Sequence, residues 1–370
     1  MKHPYDRNVP FNQLPLLPPP EDSILNIPVL QALNKANKAL AELKGLAQKL
    51  PNQSMLVNTI ALREAKASTG IENIFTTDDE LYKALNDNAQ IINPNTKEVI
   101  RYRQAIWTGY DFLVNDSKIS IPLILNVYQQ IKEVKDGIRP DQTETIIKKS
   151  GSGLLSQNIV YTPPRGKKVI AQKLENLILY LNDDDRYPDD PLIKMAVAHY
   201  QFEAIHPFRD GNGRTGRILN ILYLIQKELV LMPIVYLSAY IIRNKEDYYE
   251  LLNNVTARNN WTEWILYMLK AVEETSHYTI QKVNAIDNLF QMTWALCQHE
   301  LPHLHKEVIE QIFEQPYTSP KKLLSSNIKS LNTAKKYLQQ LVDIKILVPE
   351  KVGKEVIYLN IDLFNFLSET

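Results

Sequence analysis

The twelve residues from His206 to Arg217 read HPFRDGNGRTGR, and the rest of the chain is organised around them. One imidazole, one carboxylate, three glycines and three arginines fall within that span. Residues of these kinds build little core, so the stretch points to chemistry rather than folding. Upstream, Asp190 and Pro191 make an N-cap and first-turn pair, and Leu192, Ile193, Ala196, Val197 and Tyr200 follow at helical spacing. That helix must end near His206, because Pro207 biases the residue before it away from the α region. Downstream, Ile218 to Leu229 is apolar on nearly every face and reads as a buried central helix beginning close to Arg214. The stretch is therefore a loop at the N-terminus of a core helix.

A helix N-terminus presents unpaired amides and the positive end of the dipole, which attracts anions. Arg214 and Arg217 stand three apart on one face of that end, an arrangement suited to a strongly anionic ligand such as a polyphosphate. Gly211 and Gly213 allow close backbone approach, and Asn212 tolerates a positive φ or donates from its amide. Asp210 is a hard oxygen ligand for a phosphate-bound Mg²⁺. His206, with an ordinary pKa of about 6.5, can accept a proton from an attacking hydroxyl. Base, metal carboxylate, amide nest and paired arginines together indicate phosphoryl or nucleotidyl transfer. GNGRTG also fits the dinucleotide pattern GxGxxG, but a helix rather than a strand precedes it and no acidic residue closes a following strand.

HPFRDGNGRTGR resembles the Fic family signature, His-x-Phe-x-Asp-Gly-Asn-Gly-Arg-x-x-Arg, at every defined position. The resemblance implies transfer of AMP from ATP to a Ser, Thr or Tyr hydroxyl of a target protein, and of the chain itself, with release of pyrophosphate. By that likeness His206 is the base, Asp210 holds Mg²⁺, and Phe208 anchors the loop in the core. The nucleotide site then runs through Gly211, Asn212, Gly213, Arg214, Thr215, Gly216 and Arg217. Spacing alone does not separate attack on the α-phosphorus from attack on the γ-phosphorus.

Charges balance at 42 basic against 42 acidic, so no global field argues for nucleic acid or membrane. Cys297 stands alone, the start MKHPYDRNVPF has no apolar signal core, and no run approaches the roughly 20 apolar residues of a membrane span. These features predict a soluble, cytoplasmic, mainly α protein with no membrane partner. The expected domains are an N-terminal helical region at 1–95, a Fic catalytic domain at 96–282 and a winged helix-turn-helix domain at 283–370.

Asn8 to Asp22, with five prolines, reads as an extended arm packed on the body. Val29 to Leu50 is a long amphipathic helix and Ser54 to Ala67 a second one. Ser68-x-x-x-Glu72-Asn73 resembles the inhibitory motif of Fic proteins, in which a Glu reaches the second arginine of the signature. Segment 54–73 is thus the expected inhibitory segment, with Glu72 masking Arg217 until ATP displaces it. Asp78 to Asn86, Lys97 to Leu113 and Ile121 to Val134 are further helices, with Tyr102 and Trp107 as packing residues.

Between Glu144 and Gly166, Thr145 to Ile147 and Asn158 to Tyr161 read as two short strands around a break at Ser150 to Gly153. In the Fic resemblance this stretch, 144–166, is the flap, whose open edge pairs with the target protein. Lys167 to Leu181 is helical, and Asn182 to Arg186 is a solvated acidic linker. In Asn244 to Val255, Tyr248 lies on the core face and Tyr249 on the other. Fic proteins border the adenine with this helix, which makes Tyr249 the candidate nucleoside contact, an ordinary exposed tyrosine being the alternative. Trp261 to Glu273 closes the catalytic domain.

At the C-terminus, a helix at Leu304 to Phe313, one starting at Ser319 and Pro320, and one at Ser330 to Leu341 precede a hairpin, Ile344 to Pro349 and Glu355 to Leu359. This is a winged helix-turn-helix pattern. Eight lysines against three acids between Thr318 and Val356 make DNA a possible partner, with Lys335 and Lys336 as candidates, and protein contact an equal alternative. Two rival functions share these residues: removal of AMP from a target, with Glu72 orienting a water, and ATP-sensing by a DNA-binding regulator. Family members are often homodimers, which extends that expectation to this chain.

Overall fold

The two helices flanking the loop, Pro191–Ile205 and Asn212–Gln226, are buried on nearly every face, and the other helices are arranged around them. The computed structural model describes residues 5–49, 53–85, 93–148, 159–325, 327–352 and 355–368. After the arm come α1 (Glu21–Ile24), α2 (Ile27–Lys49), α3 (Gln53–Ile71) and α4 (Asp78–Ala84). Next are α5 (Pro94–Asp116), α6 (Ile121–Lys132), strands β1 (Ile147–Lys148) and β2 (Ile159–Tyr161), and α7 (Lys167–Asn182). The flanking helices are α8 and α9, followed by α10 (Leu237–Arg243), α11 (Lys245–Arg258) and α12 (Trp261–Glu300). The C-terminal segment holds α13 (Lys306–Glu314), β3 (Tyr317–Thr318), α14 (Leu331–Asp343), β4 (Leu347–Val352), β5 (Glu355–Asn360) and α15 (Ile361–Ser368).

Caps define the central helices as expected. Asp190 accepts from the Leu192 amide at 2.8 Å at the start of α8, and His206 closes it in the left-handed region at φ 49°. α8 and α9 pack against each other, with α12 and α7 against α8, and α5 and α6 against α9. α9 begins at Asn212, two residues before the expected start, because Gly211 at φ 80° serves as its N-cap.

Several element bounds differ from the sequence expectations. α3 continues through Ser68, Thr69 and Gly70 to Ile71 instead of stopping at Ala67. Thr69 bonds back to the Ala65 carbonyl at 2.9 Å, and Gly70 is held by packing, since a Cβ there would stand 2.8 Å from Ile242 of α10. α12 runs on to Glu300, because Thr275 and Thr279 satisfy their hydroxyls on carbonyls one turn back and keep the buried stripe unbroken to Ile280, Val283 and Phe290. The boundary expected at 282/283 thus lies inside this helix, and that at 95/96 lies in the first turn of α5. The helix expected from Ser319 is a turn, and α10 and α15 went unforeseen. Asp184 is exposed, as expected of the solvated linker, and from there pairs with the buried Lys194 at 2.7 Å and with Lys227 at 2.5 Å.

β1 and β2 form the expected antiparallel pair, while residues 149–158, including the break at Ser150 to Gly153, lie outside the described residues. The far edge of β2 is not open. The arm lies along it, with the Phe11 amide donating to the Thr162 carbonyl at 3.0 Å and Tyr5 to the Val160 carbonyl at 2.9 Å. Leu14 and Leu17 of the arm are buried, as its apolar content predicts.

In the C-terminal segment the strands run β3-β5-β4, all antiparallel, with Leu347 opposite Asn360 and Val352 opposite Glu355. The hairpin turn at 353–354 lies outside the described residues. β4 starts at Leu347 rather than Ile344, because Ile344 still caps α14 and Lys345 turns the chain at φ 63°. The segment docks on α4: Lys83 pairs with Glu350 at 2.5 Å, and the Tyr317 hydroxyl donates to Asp79 at 2.7 Å.

Candidate active site

Phe208 is fully buried and stacks on Tyr128 of α6, the ring centroids 3.9 Å apart and the planes 5° from parallel. Asn212 fastens the same turn from the other side. Its side chain accepts from the Phe208 amide at 2.8 Å and donates to the Phe208 carbonyl at 2.9 Å. Both halves of that amide are therefore engaged within the loop, and what Asn212 offers a ligand is its backbone N–H at the start of α9. Thr215 donates back to the Gly211 carbonyl at 2.8 Å and, like Asn212, stabilises the turn.

Arg139, almost wholly buried, donates to the His206 carbonyl at 2.8 Å and to the Pro164 carbonyl, tying the loop to the base of the hairpin. His206 keeps its ring half-buried on the wall of a groove of about 2560 Å³. Burial and the neighbouring Arg139 cation lower its pKa to about 4, so the imidazole is neutral at physiological pH. A neutral imidazole is the form a general base requires.

Arg217 carries the densest set of contacts. Only 2% exposed, it donates from Nε to the Ser68 hydroxyl at 2.7 Å and from Nη2 to the Ser68 carbonyl at 3.0 Å and to Glu72 Oε1 at 2.8 Å. Ser68 and Glu72 thus both meet Arg217, four residues apart, Ser68 on the last turn of α3 and Glu72 just past its end. Burial opposes the charge of Glu72, but Arg217 outweighs it and holds the carboxyl below its ordinary value. Gly213 permits this fit, since a Cβ there would lie 2.7 Å from Glu72 Oε1 and 2.9 Å from Arg217. The Glu72 carboxylate consequently sits against the N-terminal turn of α9, the place an anion would take. Asn73 stands at φ 62° and accepts from Lys245 at 3.1 Å. It terminates the turn and makes no contact with Arg217 among the hydrogen bonds of the described residues.

Arg214 is 4% exposed and pairs with Glu98 of α5 at 2.5 Å, with Asp210 3.6 Å away and its own Nε unpartnered. Asp210 extends toward solvent and pairs with Lys132 at 2.5 Å. Burial raises its pKa less than Lys132, Arg214 and the Gly211 amide lower it, so the carboxylate is ionised. Gly216 faces α8 rather than the groove, and a Cβ there would meet Glu203 at 2.6 Å and Phe202 at 3.0 Å. Tyr249 lines the groove together with Glu72, His206 and Arg217, its ring 5.2 Å from that of the buried Tyr248.

Sequence reading missed Glu98, Lys132, Arg139, Glu64 and Glu203. Glu64 is buried under Tyr102 and Ser238, and its field favours the charge on Arg217. No motif spacing marks these residues: Glu203 lies one turn outside the motif, and the elements of the others meet the loop only in three dimensions.

Comparison with known proteins matches the chain to the Fic/DOC family N-terminal model over residues 30–111 and to the Fic/DOC family model over 118–224. A SoFic-like protein adenylyltransferase C-terminal domain model matches residues 289–363. Protein adenylyltransferase fic-1 of Caenorhabditis elegans is 34% identical over 73 residues, 19% of this chain and 14% of that protein. A probable protein adenylyltransferase of Aquifex aeolicus is 26% identical over 196 residues, 51% of this chain and 53% of that one. The chain therefore spans between 14% and 53% of the length of these curated relatives. The crystal structure of a Fic family protein from Desulfovibrio desulfuricans G20 shares the fold, with a TM-score of 0.61 at 18% identity, covering 93% of this chain and 98% of that one. Signature loop, helical frame and three consecutive family models agree: the chain belongs to the Fic/DOC family.

Proposed function

We propose that the protein is an adenylyltransferase that moves AMP from ATP onto a Ser, Thr or Tyr hydroxyl of a target protein or of itself, and that Glu72 inhibits it. The observation that carries this reading is the Glu72 carboxylate bonded to the buried Arg217 and seated on Gly213, at the head of α9. An enclosed arginine beside free helical amides is an anion site, and here a carboxylate of the same chain fills it.

In the reaction, His206 takes the proton of the attacking hydroxyl. The hydroxyl oxygen forms a bond to the α-phosphorus, the bond from that phosphorus to the bridging oxygen breaks, and pyrophosphate leaves. The amides at the start of α9 face the charge that builds on the phosphoryl oxygens, while Arg217 and Arg214 hold the outer phosphates. Glu72 must leave Arg217 before the terminal phosphates bind there.

Asp210 would hold Mg²⁺. A lone, ionised, solvent-facing carboxylate fits a metal bound chiefly by phosphate oxygens and water, and Lys132 would be released from it. When bound, the metal neutralises phosphate charge.

The target segment has β1 as its docking edge, since the arm covers β2. Tyr249 sits where it can flank the base. The C-terminal arrangement of α14 with its hairpin suits a winged helix, a module for protein or DNA contact. ATP-dependent self-modification of the Glu72→Gly variant tests the reading, and no modification in that variant would refute it.

A further inference from the structure

Glu203 is a half-buried acid that the chemistry above does not use. It lies on the last turn of α8, one turn before His206, and lines the same groove as Gly213, Arg217 and Glu72. Its Oε1 is buried and has no hydrogen-bond partner. That oxygen lies so close to α9 that a Cβ on Gly216 would stand 2.6 Å from it, so the glycine of the motif is what admits the carboxyl. Leaving a buried polar atom without a partner is costly, and the carboxyl belongs to a residue that lines the groove, which makes Glu203 a candidate for ligand contact.

We propose that Glu203 is a further nucleotide-binding residue: as the neutral acid it donates a hydrogen bond to the terminal phosphates held at Arg217, and as the carboxylate it turns to Arg217 and opposes them. This rests on the nucleotide reading above and deepens it. Every element packed around the carboxyl contributes to its state. Arg217 on α9 favours its charge, whereas Glu72, just past the end of α3, disfavours it. His199 on α8 is buried and His206, which caps that helix, is half-buried, both neutral, and Tyr248 and Tyr249 of α11 are protonated phenols. Burial is the largest influence and raises Glu203 to about 7, with Arg217 lowering it and Glu72 raising it. A raised acid is protonated below that value, so affinity for a polyphosphate is present at lower pH and is lost as pH rises through it.

The test is calorimetric titration of Mg²⁺ and ATP into Glu72→Gly and into Glu72→Gly with Glu203→Gln, at pH 6 and at pH 8.5, with AMP in parallel. Glutamine keeps a donor and cannot ionise. The expected result is that ATP affinity in the single variant falls about tenfold between the two pH values, while the double variant shows no such fall. AMP, which lacks the outer phosphates, should show none in either. Equal pH dependence of ATP binding in both variants, or an equal fall for AMP, would overturn the assignment and leave the nucleotide site standing. Failure of both variants to bind ATP at either pH would overturn the site itself. Should the double variant not fold, a pH-independent ATP affinity in the single variant would overturn the assignment on its own.

Discussion

The signature loop and the C-terminal segment both carry concentrated charge, and they dispose of it in opposite ways. In the loop, Arg214 and Arg217 are at most 4% exposed, and each is held by a carboxylate from earlier in the chain, Glu98 of α5 or Glu72 just past α3. In the C-terminal segment, Lys335 and Lys336 point outward from α14, over an apolar face made by Ala334, Leu338 and Leu341. Burying a guanidinium costs several kcal/mol unless it is paired, so a fold keeps one inside only with dedicated partners. Exposed lysines require none and are worth little to stability. The loop therefore keeps its charge inside only by means of dedicated partners, whereas the lysines of α14 need none.

The contrast can be broken by substitution. His206→Ala should have the largest effect, lowering self-modification by roughly 10²- to 10⁴-fold while sparing ATP binding; single-turnover assays and calorimetry read the two separately. Arg217→Ala removes a phosphate ligand and strands Glu72, so ATP affinity should fall about 10- to 100-fold, as expected for loss of a charged contact worth roughly 1.5–3 kcal/mol. A hyperactive Arg217→Ala would mean that inhibition outweighs the phosphate contact. Glu72→Gly should raise self-modification about tenfold, the yield of removing roughly 1.4 kcal/mol of competition for the arginine. Lys335→Ala with Lys336→Ala should leave transfer and melting temperature within error, since both side chains face solvent; a change in DNA retention would show what that surface is for.

The pH profile sharpens the same contrast. Burial and Arg139 keep the His206 imidazole neutral down to about 4. At saturating ATP, kcat of the Glu72→Gly variant should therefore stay flat between pH 8 and pH 6 and decline only well below. A decline centred near the ordinary imidazole value, about 6.5, would contradict the burial of this group.

How much was legible in the sequence follows the same division. The loop and its flanking helices were readable because the defining signals are local: Asp190 and Pro191 start α8, Pro207 ends it, and twelve consecutive residues hold the polar groups. Glu72 was readable only by likeness to a family pattern, although the structure bonds it to Arg217 as that pattern implies. Glu98, Lys132, Arg139 and Glu203 were not readable, since each reaches the loop from another turn or element, and an isolated Glu or Lys on a helix looks like a solvated charge. The covered edge of β2 was hidden for a related reason: the arm that occupies it lies far earlier in the chain, Tyr5 and Val160 being 155 residues apart. The length of α12 was misjudged because Thr275, Ser276 and Thr279 look polar in sequence, yet all three lie on its buried face.

Intact mass after incubation with Mg²⁺ and ATP tests the central claim most directly, applied to the parent chain, Glu72→Gly and Glu72→Gly with His206→Ala. The account predicts a gain of one or more AMP groups that is greater in Glu72→Gly than in the parent and absent from the double variant. No gain in Glu72→Gly, or an equal gain once His206 is lost, would contradict it.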